Sequence, residues 1–250
     1  DVSAAVTAVG VDRLQQANVE NLEDVQNLVP NLSFGNDFNI AKIFIRGIGT
    51  NISTSGAEPA VALYVDGAVI SRPEAQFASL FDLERVEVLR GPQGTLFGKN
   101  TTAGAINVTT RKPSFTPGTE VELNYGSLGF VQAKASVTGP LGGEKLAGRL
   151  SFSGTTREGT LLNTATGQDG NGLNNLGFRG QLLFTPSGNV AITVTGDHTR
   201  QRPEGFTQVV AGVAPTLRAA NRQYAAIAAG LGYTPPSFNA FDRLTDVDTP

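Results

Sequence analysis

Two different rhythms of apolar and polar positions meet near Pro113. Beyond it the rhythm has a period of two, the spacing at which successive side chains of a strand point to opposite faces. Val121, Leu123 and Tyr125 alternate with Glu120, Glu122 and Asn124. Val131, Ala133, Ala135 and Val137 alternate with Gln132, Lys134, Ser136 and Thr138. Leu146, Leu150 and Phe152 share a face with Gly148, opposite Arg149, Ser151 and Ser153. Phe178, Leu182 and Phe184 oppose Arg179, Gln181 and Thr185, with Leu183 out of step, and Val190, Ile192 and Val194 oppose Thr193, Thr195 and Asp197. This predicts about five antiparallel strands, each long enough to cross a bilayer when tilted. Two connections are tight, GPLGGE at 139–144 and PSGN at 186–189. Two are long and polar, 156–174 and 201–250, and TLRAANRQYAAIAAGLG in the last predicts a helix closed by Gly230 or Gly232. Alternation alone fits a soluble sandwich with its apolar face inward. Short turns at one end and long loops at the other favour a barrel wall in a membrane.

Before Pro113 the elements are mixed. Asp12 and Gln15 have the spacing of a capping box. Leu22, Val25, Leu28 and Val29 recur at helical spacing before Pro30, which predicts a helix over 19–28. Residues 41–49 read as a strand, and Asp66-Gly67 between apolar arms as a hairpin with a type I′ turn. FDLERVEVLRG, 81–91, ends in a strand, and 105–109 form another.

Between those two strands lies GPQGTLFGKNTT, which has the vocabulary of a phosphate-binding loop. The spacing excludes it. The first glycine of a P-loop should stand at 93, which is Gln93, and Asn100 replaces the hydroxyl that would bind magnesium. A strand follows where a helix N-terminus would have to hold the phosphate.

Composition narrows the classes. The net charge of −3 leaves no electrostatic footprint for nucleic acid, so no nucleic-acid partner is expected. Cysteine is absent and His198 is the only histidine, which argues against thiol chemistry, a histidine metal site or a catalytic triad. No enzyme activity, metal site or cofactor is expected. Methionine is absent and DVSAAVTAVG is no signal peptide, so the start reads as a processed end or the edge of a fragment; DRLTDVDTP stops in polar, loop-like sequence with no evident last element, so truncation at both ends is expected.

The stretches NLEDVQNLVPNL at 21–32, IRGIG at 45–49, VALYVDGA at 61–68 and LERVEVLRGPQGTLFGKNTTAGAINVTTRKP at 83–113 together resemble the plug domain of TonB-dependent outer-membrane receptors. The resemblance implies an N-terminal α+β plug domain, 1–113, followed by the first antiparallel transmembrane β-barrel strands, 114–250. It thus implies an incomplete fragment of a plugged barrel of about 22 strands. It makes the glycine-rich segment a turn and packing element between two plug strands. It implies energy-coupled transport across the Gram-negative outer membrane, with a ferric siderophore as the default cargo and a saccharide or other nutrient as the alternative. The iron would then be part of the ligand. Partners would be a small-molecule ligand, outer-membrane lipid and the inner-membrane TonB complex, whose TonB box is expected before Asp1.

Ligand candidates are Asn51, Ser53 and Ser55 in one polar loop and Arg72, Glu74, Gln76 and Phe77 in another. Arg200, Arg202, Phe206 and Tyr224 add to these from the long loops. Arg46, Glu87 and Arg90 are candidates for a latch between plug and barrel wall, because a charge at the end of a buried strand needs a partner. The rival from another class is a soluble β-rich binding or adhesion module, its apolar faces packed inward.

Overall fold

A computed structural model describes residues 5–17, 19, 21–37, 40–51, 58–72, 80–98, 100–202 and 209–246. Two compact units emerge: one comprises 1–122, 133–153 and 176–200, the other 123–132, 154–175 and 201–250.

The first unit opens with β1 (Ala5–Gly10), α1 (Val11–Gln16), a 3-10 turn (Asp24–Asn27), β2 (Leu32–Asp37), β3 (Ile40–Ile45) and β4 (Ile48–Gly49). It continues with β5 (Val61–Val65), β6 (Ala68–Ile70), β7 (Leu83–Arg90), α2 (Gly94–Phe97) and β8 (Gly104–Thr110). One sheet has the order β1-β7-β8-β5-β6 and another β2-β3-β4. The central β8 runs parallel to β5 and antiparallel to β7. Its Ile106 and Val108 are fully buried, in one core with Val86, Val88, Val61, Leu22, Val25 and Val29. The periodic apolar positions of 19–29 therefore do face the core.

Local elements depart from expectation for identifiable reasons. Asp12 is not the N-cap of α1; Gly10 is, without a side-chain bond, and Asp12 lies in the first turn, where its charge suits the helix dipole. The helix expected over 19–28 is reduced to the 3-10 turn. The backbone N–H of Asn21 donates to Asp24 Oδ2 at 3.1 Å and that of Asp24 to Asn21 Oδ1 at 3.2 Å, the local competition that Asn and Asp offer to helices. Residues 41–49 are a hairpin, not one strand, with Arg46 at φ 54° and Gly47 at φ 76°. Asp66 (φ 49°) and Gly67 (φ 84°) have the two positive φ angles of a type I′ turn, as expected. The N-terminal strand, unanticipated, pairs antiparallel with β7 from Ala5↔Arg90 to Gly10↔Arg85.

The glycine-rich segment is stitched down between β7 and β8. Gly91 N–H donates to Ala103 O at 3.0 Å, Gln93 N–H to Thr101 O at 3.0 Å, and the fully buried Thr101 hydroxyl to Gly98 O at 2.6 Å. Gly104 has φ 155°, and a Cβ there would lie 2.3 Å from Leu89 O. That glycine is required by close backbone approach.

The remaining elements are β9 (Gly118–Tyr125), β10 (Val131–Pro140), β11 (Leu146–Arg157), β12 (Leu161–Asn163), β13 (Asp169–Gly170), β14 (Leu173–Ser187), β15 (Val190–Gln201), α3 (Tyr224–Gly230) and β16 (Leu244–Thr245). The long strands form one sheet in the order β15-β14-β11-β10-β9. Its polarity is inside out. Leu150 is 65% exposed, whereas its neighbours Arg149 and Ser151 are 6% and 5% exposed. Val121, Leu123, Val137, Phe178, Leu182, Ile192 and Val194 are likewise exposed, while Gln132, Ser153, Arg179 and Gln181 are buried. A soluble sandwich would turn the apolar face inward, since each such side chain gains about 1.5–3 kcal/mol on burial. The sheet instead has the alternation of a membrane wall, apolar outward and polar inward.

In the second unit β12 pairs antiparallel with β13 and parallel with β16. The helix expected over 216–232 is broken into a 3-10 turn (Ala220–Arg222) and α3. Gly232 (φ 63°) closes it, with Tyr233 N–H donating to Ala228 O at 2.9 Å and Gly232 N–H to Ala229 O at 3.2 Å, the Schellman pattern.

Candidate functional site

The site is built on the corner that leads into β7. Asp82 has φ 56°, a left-handed conformation that Asp tolerates better than most residues. Its carbonyl accepts from Arg111 N–H at 2.9 Å. The bend sends its carboxylate to the polar face of the long sheet. Arg149 Nε donates to Asp82 Oδ2 at 2.6 Å, Arg149 Nη2 donates to Oδ1, and Ser151 Oγ donates to Oδ2. Arg149 Nη2 also donates to Ser136 Oγ at 3.0 Å. The Arg149 and Asp82 side chains are only 7% and 5% exposed. A pair so desolvated holds its geometry because each charge has no alternative partner in water.

Phe81 forms the other half of the corner. Its carbonyl accepts from Arg179 Nη1 at 3.1 Å, and the guanidinium lies 4.8 Å from its ring centroid. Arg179 Nε donates to Asp197 Oδ1 at 2.6 Å. The ring fits because residue 177 is glycine: a Cβ there would lie 2.7 Å from Phe81 Cε1. At the end of β8, Thr110 donates its N–H to Asp66 Oδ1 at 2.9 Å and its hydroxyl to Asp66 Oδ2 at 2.6 Å. The same hydroxyl accepts from Gln181 Nε2 at 3.2 Å. Three residues of the long sheet, Arg149, Arg179 and Gln181, thereby grip Asp82, Phe81 and Thr110. Below them Arg111 pairs with Glu120, and Lys134 Nζ lies 3.4 Å from Glu122 Oε1.

The expected latch residues make different contacts. Arg90 Nη2 donates to Thr7 Oγ1 at 2.7 Å and to Pro30 O at 3.4 Å. Glu87 accepts from Asn107 Nδ2 at 2.9 Å and lies 3.3 Å from Arg85 Nε. Arg46 is exposed at its turn, its N–H donating to Asn31 O at 2.8 Å. The structure does not bring these three together; their contacts among the described residues lie within the small sheets and the loops beside them. The clamp that is present has the opposite polarity, a carboxylate on the corner and guanidiniums on the wall. Its signal in the sequence was two arginines, Arg149 and Arg179, on inward faces with no acidic residue of their own strand.

Of the ligand candidates, Asn51 and Arg72 are exposed. Ser53, Ser55, Glu74, Gln76 and Phe77, with Phe206, lie outside the described residues. Arg200 and Arg202 are exposed, and Arg202 N–H donates to Asn174 O at 2.9 Å. The Tyr224 ring lies 6.3 Å from that of Phe238. Nearby, the Tyr233 hydroxyl donates to Asp246, which pushes the phenol up to about 12.

Comparison with known proteins adds sequence and fold relationships. Residues 1–105 match the model of the TonB-dependent receptor plug domain. The pesticin receptor of Yersinia enterocolitica is 33% identical over 165 residues, covering 65% of this chain and 24% of the relative. The vitamin B12 transporter BtuB of Vibrio vulnificus is 30% identical over 145 residues, covering 55% of this chain and 23% of the relative. The crystal structure of the ferric yersiniabactin uptake receptor FyuA from Yersinia pestis superimposes with a TM-score of 0.72 at 28% identity, covering 79% of this chain and 32% of that one. The chain thus spans about a quarter of the length of the curated relatives it matches.

Proposed function

We infer, since this chain belongs to the TonB-dependent receptor family, that the whole protein imports a ferric siderophore across the Gram-negative outer membrane. Residues 1–113 are read as the plug and 114–250 as part of the barrel wall. The observation that carries the reading is the inverted polarity of the long sheet, with Leu150 outward between the buried Arg149 and Ser151. Such a wall is stable only where lipid meets the apolar face. Its polar face then borders a lumen, and the clamp on Phe81, Asp82 and Thr110 retains the plug there. An inner-membrane TonB complex supplies the energy. Arg72 and Asn51, with the candidate residues beside them in sequence, contact the ligand. The ligand brings its own iron, so no resident cofactor is needed.

Iron is favoured over other cargo by the ferric uptake receptor among the structural neighbours. The vitamin B12 transporter among the relatives supports a second reading, a different scarce nutrient on the same machinery. The test is the amount of the full-length protein in the host's outer-membrane fraction, with and without an iron chelator. Strong induction by the chelator, with labelled-iron uptake lost when the TonB complex is deleted, is expected. No iron response shifts the assignment to the second reading, and absence from the outer membrane refutes both.

A further inference from the structure

Arg149 stands out among the charges on the inward face of the wall. Of the other described cations there, Lys134 has Glu122 and Arg179 has Asp197 from the wall itself, while Arg157 donates to Asn171 O at 2.8 Å and faces no carboxylate; Glu120 is taken by Arg111. Among the described residues, the acidic partner of Arg149 is Asp82, which the plug supplies. Strands beyond these five do not change this. β11 is the middle strand of the sheet, so the next strand on either side lies about 14 Å away along the wall, three strand spacings.

The rest of the seat belongs to the wall. Nε and Nη2 of Arg149 face the two oxygens of one carboxylate, the bidentate geometry that suits any planar oxyanion. Ser151 adds a third donor from the same strand, and Ser136 accepts from the guanidinium at 3.0 Å and holds its plane. Three donors therefore converge on a carboxylate whose only tie to them is the plug backbone. When the plug shifts, a guanidinium that is 7% exposed loses the carboxylate paired with it, a costly state unless water or an anion replaces the lost partner.

We propose that Arg149, Ser151 and Ser136 form an oxyanion seat on the barrel wall. Asp82 fills it as a tethered carboxylate, and a carboxylate of the passing ligand takes it over when the plug moves. The takeover rests on the transport reading above; the seat itself does not. The site is distinct from the ligand candidates on the plug loops. It selects for ligands bearing a carboxylate or another planar anion with two oxygens.

The seat can be tested on the purified full-length receptor with acetate as the probe. Asp82→Gly empties it without backbone strain, because glycine accepts a φ of 56°. Acetate, against chloride at matched ionic strength, should raise the plug melting temperature of Asp82→Gly by a few degrees in a saturable way. It should not do so in the unaltered protein, where the seat is filled, or in Asp82→Gly/Arg149→Gln, where it is destroyed. Labelled acetate should show the same three-way pattern in saturation-transfer NMR. If Asp82→Gly does not accumulate, Asp82→Ala, which also removes the carboxylate, with the smaller formate ion gives the same comparison. Equal responses to acetate and chloride, or an acetate response that survives Arg149→Gln, overturn the proposal. Acetate binding is read without transport, so an acetate-positive receptor that imports no iron supports the seat and refutes the function proposed above.

Discussion

Replacing Asp82 by Asn tests the clamp most directly. Asn keeps the shape of the side chain and tolerates a φ of 56°, so the change removes charge and little else. The carboxylate it replaces accepts from Arg149 Nε, Arg149 Nη2 and Ser151 Oγ, with both charged side chains under a tenth exposed. Removing one partner of such a pair costs about 3–5 kcal/mol, because the other charge stays buried and uncompensated. At 1.4 kcal/mol per tenfold, that is a rise of roughly 10² to 4 × 10³ in the population of the undocked corner. Arg111 reports it, since its N–H donates to Asp82 O at 2.9 Å. Its amide should exchange with deuterium about 10² to 4 × 10³ times faster in the full-length receptor, by the free-energy argument just given. The double variant Asp82→Asn/Arg149→Leu should recover part of the loss, because removing both members of a buried pair is often near neutral. Exchange at the unaltered rate in Asp82→Asn, or a double variant as destabilised as the sum of the singles, would refute the argument.

Three further outcomes are expected. Gly104→Ala puts a Cβ 2.3 Å from Leu89 O at a φ of 155° and should cost the plug about 1–3 kcal/mol, read as a lower denaturant midpoint; an unchanged midpoint would show that the β7–β8 backbone yields easily. Leu150→Arg places a charge on the outward face and should cost up to about 2–4 kcal/mol of barrel stability, visible as a loss of the folded band in unheated SDS gels; full tolerance would contradict a lipid-facing wall. Glu23 has its carboxyl raised above the ordinary value, by partial burial first and the charge of Asp24 second. A raised carboxyl pKa means that the folded plug holds this proton more tightly than the unfolded chain, so the penalty is absent below about pH 4, develops as pH rises through the raised value and is complete above it. Glu23→Gln should therefore stabilise the plug at neutral pH and lose that advantage toward pH 4, and an advantage independent of pH would show that charge is not the cause.

The wall was legible because its period of two runs through the strands from Val121 to Val194, with Leu183 out of step. Which face looks outward was not, since alternation is the same in a sandwich and a barrel; connection lengths pointed the right way. Short elements were legible where turn chemistry is specific, as at Asp66-Gly67, and illegible where side chains compete with the backbone, as at Asn21 and Asp24. The latch was anticipated as plug cations reaching wall carboxylates. Asp82 went unnoticed inside FDLERVEV because its role depends on a positive φ and on wall residues 67 and 69 positions away. No local pattern encodes a contact of that range. A cation on a strand face with no carboxylate, such as Arg149, is the only trace it leaves.

The register of β1 on β7 also sets how the plug answers a mechanical load. Ala5 lies opposite Arg90, and Gly10 opposite Arg85. Leu83 faces Thr110, and Val65 faces Val108, so Asp66, Thr110 and the start of β7 share one end of the sheet while Ala5 lies toward the other. Tension on the chain before Ala5, directed toward the Asp66 end, folds the strand back along itself. The ladder then opens one pair at a time, beginning at Ala5↔Arg90 and meeting the Arg90–Thr7 bond early. Tension in the opposite direction loads all six pairs together, in shear. The edge strand is thus a zipper for one direction of pull and a rivet line for the other.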